Sequence, residues 1–476
     1  MKRAARIALK NPAANPQKAG FLGTPGKNGR GLCSQCVFIL FGLFFSGLLC
    51  FLPLDPASAQ PNGPDPITQG EAPAFDPEAP PRTRIRLSPS LTFGGKVEIE
   101  YTLERNFDLR KERNDRRSVA SPELSTAFSF DPSRNFQAFL NMELSHTLAW
   151  EAMEGREGET RLRLRQTFLR WRRLANNRLS VQIGRLRFKD DREWLYDEEI
   201  DAARVVYRHA DLEVTFSAGR SGLFKKDLLG EGPARRVNET LLYGRYMLGE
   251  EGEIVAYGFV RDDRSARESH LIFYGLHADG EVADRLDYWL ELAQVRGRNR
   301  GKEIRGIGFD LGATYSFDRP WKPSLTVGTA FGSGDEDPED SLDRRFRQTG
   351  LQENEDKWGG VTRFKYYGVL LDPMLSNLSI FTGGVGVRPT RDSSLDLVYH
   401  FYLQHHPSTE IFGAEIDAEP AGLRRPLGGE VDLIAGLREK GRYGIELALG
   451  FFFPGSAFPP GTDRALLIAL EFQVDF

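Results

Sequence analysis

The segment Glu159–Arg172 places Arg161, Arg163 and Arg165 at alternate positions, with Leu162, Leu164 and Phe168 on the other parity. On an extended chain that spacing puts three guanidiniums on one face. Guanidinium groups match carboxylates in bidentate geometry, so a row of them inside a pore attracts anions. More bases follow at Arg185, Arg187, Lys189 and Arg192, set among Asp190, Asp191, Glu193, Asp197, Glu198 and Glu199. Acids beside such a row compete for the guanidiniums and loosen the grip on a passing polyanion. The same charges could instead satisfy one another as a structural network.

Other chemistries find less support. The chain has no HExxH, no GxSxG, no Walker loop and no dinucleotide-binding glycine fingerprint. His146 and His400 fall within alternating segments, and His405 and His406 at a segment end. Without a positioned partner each reads as a lumen or rim histidine. The acidic run Asp335–Asp343 offers oxygen ligands, but lacks the spacing of a helix–loop–helix calcium site and reads as a solvated loop. No catalytic residue, cofactor or metal is expected.

The elements that must hold these charges show period two. In the last segment Leu466, Ile468, Leu470, Phe472, Val474 and Phe476 share one face, and Glu471, Gln473 and Asp475 the other. The same alternation runs through Lys96–Glu104, Gln137–Ala149, Leu286–Gln294, Arg305–Tyr315, Leu395–Gln404, Val431–Leu437 and Tyr443–Phe451. A soluble sandwich turns such apolar faces inward; a membrane barrel turns them toward lipid and the polar faces toward the lumen. Segments long enough for a tilted crossing, short turns alternating with long charged loops, and a terminal Phe476 favour the barrel. The expected fold is all-β, a transmembrane antiparallel barrel of about 18 strands of the bacterial outer-membrane type. Leu371–Asn377 reads as a short helical exception.

The 476 residues carry 63 Lys+Arg against 67 Asp+Glu, a net charge of −4 that excludes binding of nucleic acid through bulk positive charge. Hydrophobic content of 40% is too high for a disordered chain. One apolar run, Val37–Leu54, is too few for a helical bundle in a membrane. It follows a basic stretch and precedes Ala57-Ser58-Ala59, so residues 1–59 read as a cleaved signal peptide. All three cysteines, Cys33, Cys36 and Cys50, fall in that segment. Eight prolines in 60–89 mark a periplasmic tether, and residues 90–476 the barrel.

Several stretches together resemble the alginate export family of outer-membrane porins. They are Val181–Arg187 with Glu193–Asp197, Phe346–Leu351 with Leu375–Leu378, Leu397–His400, Gly429–Leu433, Phe453–Gly455 and Pro460–Asp463. The resemblance implies an 18-stranded barrel that passes an anionic exopolysaccharide, an alginate-like polyuronate, outward through a basic lumen. Arg165, Arg187 and Asp197 match path positions in that family, with Asp227, Arg363 and Lys96 matching less closely. Where the family carries paired arginines on the penultimate strand this chain has Glu446 and Ala448, and a short turn at Lys440-Gly441-Arg442 replaces the family's plug loop. The expected function is therefore a monomeric export conduit whose path includes Lys96, Arg161, Arg163, Arg165, Arg187, Asp197, Asp227 and Arg363. A general anion or saccharide porin is the alternative, and a barrel hydrolase a further one. Expected partners are the polysaccharide, outer-membrane lipid, the barrel insertion machinery and periplasmic polysaccharide-synthesis components.

Overall fold

Backbone amides cannot go unpaired in lipid, so a sheet that crosses a bilayer has to close on itself. A computed structural model of the protein shows this closure. It describes residues 79–476 except 113–114, 152–154, 231–236, 250, 265–267 and 440–442. The expected signal peptide, most of the proline-rich tether and the turn Lys440-Gly441-Arg442 lie outside the described residues.

Eighteen strands form the barrel. The first nine are β1 (Leu91–Arg105), β2 (Arg117–Ser133), β3 (Phe136–Glu151), β4 (Gly155–Arg173), β5 (Leu179–Lys189), β6 (Asp197–His209), β7 (Leu212–Ser221), β8 (Val237–Met247) and β9 (Gly252–Asp263). The second nine are β10 (Ser269–Val282), β11 (Leu286–Asn299), β12 (Lys302–Ser316), β13 (Ser324–Gly332), β14 (Leu378–Thr390), β15 (Ser393–Gln404), β16 (Pro426–Glu439), β17 (Tyr443–Pro454) and β18 (Ala465–Asp475). Each pairs antiparallel with its neighbours in sequence, and β18 closes the ring on β1, from Lys96 opposite Asp475 to Arg105 opposite Leu466.

Burial inverts relative to a soluble protein. On β1, Val97 and Ile99 are 37% and 46% exposed, while Lys96 and Glu98 are 4% and 3% exposed. The apolar face therefore looks outward and the charged face into the lumen. Leu470 and Phe472 on β18 continue the outer belt, and Gln473 the lumen wall. His146 lies on the outer parity of β3, where its Nδ1 meets the Thr160 hydroxyl at 2.7 Å.

Two local features differ from the sequence reading. Leu371–Asn377 is irregular chain, not helix. Pro373 has no amide to donate, and the amides of Leu371, Met374, Leu375 and Asn377 go to distant partners, Glu430, Phe412 O, Gln348 and Ser333 O, instead of an i→i−4 ladder. Of the proline-rich segment, Ile85–Ser88 is a short strand paired with the start of β1, so this end of the expected tether is docked.

Connections at the end where β18 finishes are all short, and the longest ones, after β1, β7, β13, β15 and β17, lie at the other end. Residues 333–377, between β13 and β14, fold back into the lumen. Phe346, Tyr366, Leu370 and Leu371 there are fully buried. The tip reaches the short-turn end, where the amide of Val361 donates to Ser394 Oγ at 3.2 Å and Arg388 donates to the carbonyls of Trp358 and Gly359. Close approach needs glycine on both sides: a Cβ on Gly306 would collide with the backbone of Phe346. Gly368, at φ +109°, makes a turn that L residues rarely adopt, against the Tyr402 hydroxyl.

Candidate functional site: the charged wall and the inward loop

β4 supplies the arginine row. Its inner parity carries Arg161, Arg163 and Arg165, and β3 presents Glu143 opposite Arg163. Arg163 Nη1 donates to Glu143 Oε1 at 3.0 Å, and Arg165 Nη1 donates to the other Glu143 oxygen. Arg165 Nε also donates to Glu199 Oε1 on β6 at 2.6 Å. The Glu199 carboxylate lies 3.6 Å from Lys226, which donates to Glu198 at 2.6 Å. Arg187 on β5 is the cross-strand partner of Glu199 and grips Asp197 in bidentate fashion, Nε to Oδ1 at 2.6 Å and Nη2 to Oδ2 at 2.5 Å. Lys189 pairs with Glu193, which also holds Arg363 Nη2 at 3.0 Å. A band of alternating charge therefore runs from β3 to β6 and on to the inward loop.

The two signs are not equally exposed. Arg163, Arg165, Arg187 and Lys189 keep between 10 and 21% of their side-chain surface open. Their partners Glu143, Glu199, Asp197 and Glu193 keep between 1 and 5%. The carboxylates lie against the wall and the bases lie in front of them. The structure thus brings Arg163, Arg165, Arg187, Asp197 and Arg363 into one band. Arg161 sits at its outer end, paired with Glu159 at 2.5 Å.

Lys96 and Asp227 lie apart from this band. Lys96 faces the lumen two strands from Glu143 and pairs with Glu98 at 3.1 Å. Asp227 Oδ1 accepts from the amides of Leu162 and Leu229 at 3.3 and 3.0 Å. Its carboxylate stitches the loop after β7 onto the edge of β4.

That stitch matters because β4 and β5 pair only over Thr167–Trp171 and Val181–Arg185. Beyond this, the chain at Lys226–Leu228 takes the place of β5, with Leu164 donating to Lys226 O and Leu228 to Leu162 O. Arg185 rivets the seam. It holds Asp201 at 2.8 and 3.1 Å and also donates to the carbonyls of Leu164 and Phe224. The sequence reading counted Arg185 among the bases without seeing this role.

The inward loop meets the short connection 190–196 in the lumen. Trp194 stacks on Phe346 at 5.8 Å and its Nε1 donates to the Tyr367 hydroxyl at 2.9 Å. Arg192 lies over the rings of Trp289 and Tyr366, at 4.5 and 4.3 Å, and donates to Asp310 at 3.1 Å. Wall carboxylates hold the loop's backbone: Glu430 accepts from the amides of Leu370 and Leu371 at 2.7 and 3.0 Å, and Asp432 from Val369 at 3.2 Å. These anchors lie on β11, β12 and β16. The arginine row on β4 is half the ring away from β13, at the centre of that arc.

The acidic run at Asp335–Asp343 is paired by its own arginines. Asp343 receives Arg345 at 2.9 Å and also Arg347, and Asp340 receives Arg344 at 2.9 Å. Burial pushes the Asp343 carboxyl up, but the hydrogen bonds from Arg345 and the charge of Arg347 outweigh it and hold the group below its ordinary range.

The profile of a family described as alginate export matches residues 90–467. The chain belongs to the alginate export family. Within curated proteins it is similar to the alginate production protein AlgE of Pseudomonas aeruginosa, 31% identical over 225 residues. That match covers 43% of this chain and 44% of AlgE. AlgE of Azotobacter vinelandii is 29% identical over 186 residues, covering 34% of this chain and 38% of that protein. The matched stretches thus span less than half the length of these relatives. Among solved structures, Pseudomonas aeruginosa OpdQ superposes with a TM-score of 0.53 at 10% identity, covering 82% of this chain and 99% of its own. OccK7 (OpdD) of the same organism gives 0.52 at 12% identity, covering 81% and 99%. At such identities these likenesses show the fold. With the apolar outer belt and the family membership, they place the chain in the bacterial outer membrane.

Proposed function

We propose that this member of the family exports an anionic polysaccharide, an alginate-like polyuronate, through the part of the lumen between the inward loop and the β3–β6 wall. The observation that carries the reading is the order of the charges. From Glu143 to Glu193 each carboxylate of the band lies behind a more exposed base, and only at the outer end does the order reverse, with Glu159 more open than Arg161. A polymer carboxylate then meets guanidinium first, and the acid behind it offers an exchange partner when the polymer moves on. Arg163, Arg165 and Arg187 make the first contacts, with Arg161 at the outer end. Glu143, Glu199 and Asp197 supply the competition, and Arg363 brings the same charge to the facing surface of the loop. Lys96, paired with Glu98 on β1, adds a lumen base apart from that band.

The reading is a passive conduit, not a catalyst. His400 supports it, since the ring is fully buried and bonded to Thr382 at 2.9 Å, out of reach of a polymer in the lumen. The conduit works as a monomer, set in outer-membrane lipid by the barrel insertion machinery and supplied by periplasmic polysaccharide-synthesis components. The test is block of single channels in planar bilayers. Oligouronates should block from the periplasmic side, and neutral oligosaccharides of equal length should not. Equal block by both would replace the export reading with a general saccharide porin.

A further inference from the structure

Glu253 and Asp279 are cross-strand partners on β9 and β10, and His277 and Glu291 are cross-strand partners on β10 and β11. His277 and Asp279 are two residues apart, so all four side chains share the lumen face in the short-turn half of the barrel. One ligand atom from each of Glu253, His277 and Asp279 lies within 4.8 Å of the others. The imidazole is already aligned. Its Nδ1 meets Glu291 Oε1 at 2.6 Å, and its Nε2 meets Asp279 Oδ1 at 2.6 Å. A metal-bound histidine has this arrangement, one ring nitrogen held by a buried carboxylate and the other aimed at the ligand cluster.

The second observation is Glu253. Its residue is 7% exposed, and its Oε1 is buried with no hydrogen-bond partner among the described residues. Arg245 occupies only the other oxygen, at 3.2 Å. A buried carboxylate oxygen without a donor is costly unless a cation satisfies it. Asp279 remains 39% exposed, which leaves a route in from the lumen and room for a water in a fourth position.

We infer that Glu253, His277 and Asp279 bind a first-row divalent cation of the Zn²⁺ type, with Glu291 orienting the histidine. Side-chain shifts of about an ångström bring the three ligand atoms to the 2.0–2.2 Å distances that such an ion takes. Carboxylates only accept hydrogen bonds, so the two short contacts to His277 require both ring protons. The ion takes the place of the Nε2 proton. The inference is independent of which polymer passes the channel.

The test uses the expected mature chain without a tag, residues 60–476, which carries no cysteine to compete for the ion, refolded in detergent and stripped with a chelator that is then removed. Zn²⁺ is titrated in competition with a chromophoric chelator, and by calorimetry in two buffers of different ionisation enthalpy. One equivalent should bind, with release of a proton. His277→Asn and Asp279→Asn should abolish stoichiometric binding, while Glu291→Gln should keep the stoichiometry with affinity weakened about 10–100-fold. His405→Asn with His406→Asn should leave binding unchanged. Heat-modifiable migration on gels confirms that each variant is folded. Absence of stoichiometric binding to the wild-type barrel overturns the site, as does binding that survives His277→Asn or disappears with His405 and His406.

Discussion

Replacing Arg165 by Gln removes one lumen charge without stranding its partners. Glu143 keeps Arg163 at 3.0 Å and Glu199 keeps Lys226 at 3.6 Å. The barrel should therefore fold, and the effect should show in permeation. A unit charge acts on a carboxylate about 4 Å away with about 1 kcal/mol in bulk water and about 4 kcal/mol at an effective dielectric constant of 20. Arg165 keeps 11% of its side-chain surface open, so the wetter limit is the safer one. At about 1.4 kcal/mol per factor of ten, the anion-to-cation permeability ratio should fall roughly fivefold. The assay is the reversal potential of reconstituted channels across a gradient of dilute KCl. The shift should shrink near 1 M salt, where the screening length is only about 3 Å. A folded Arg165→Gln barrel with unchanged selectivity would refute the assignment of the β3–β6 band as the anion path.

Other parts of the structure respond to different perturbations. Glu430→Leu strands the amides of Leu370 and Leu371, each at a cost of about 1–3 kcal/mol, so the inward loop should loosen and single-channel conductance should rise; unchanged conductance would show that the loop is held elsewhere. Arg185→Ala breaks the buried pair with Asp201 and should cost about 3–5 kcal/mol in unfolding titrations. A loss near zero would mean that the seam between β4 and β5 seals without it. Ile99→Lys on the outer belt should cost about 2–4 kcal/mol if the site faces lipid, measured as a shift in denaturant midpoint in phospholipid vesicles. Because the Asp343 carboxyl titrates below its ordinary value of 3.8, its pairing with Arg345 and Arg347 contributes stability that is complete above that pH and lost as pH falls through the lower value. Hydrogen exchange in 341–347, corrected for intrinsic rates, should therefore accelerate at pH 3 but not at pH 5.

Much of the wall was legible in the alternation. Leu470 and Phe472 share the outer face that their parity implies, and Arg163 and Arg165 share the inner one, because lipid enforces a strict two-sided pattern on every crossing strand. Glu143 was legible in principle: it lies on the polar parity of the preceding segment, and pairing the two segments as a hairpin places it beside Arg163. The lumen contents were not. Residues 333–377 have no periodicity, and their course depends on partners far away in sequence, such as Glu430 for Leu370 and Asp310 for Tyr367. The expected helix at Leu371–Asn377 failed for the same reason, since partners distant in sequence, Glu430, Phe412, Gln348 and Ser333, claim the amides that a helix would use. Asp227 shows the limit of carrying a role by position alone. Its match to a path position of the family suggests a pore acid, but the shortened β5 leaves an open edge on β4, and Asp227 Oδ1 binds the amide of Leu162 on that edge.

The most direct test of the central claim is the reversal potential of the reconstituted wild-type barrel in a KCl gradient. Bases set in front of buried carboxylates predict an anion-selective channel. A cation-selective channel from the same folded barrel would contradict the proposal, because it would mean that the carboxylates behind the arginines govern what passes.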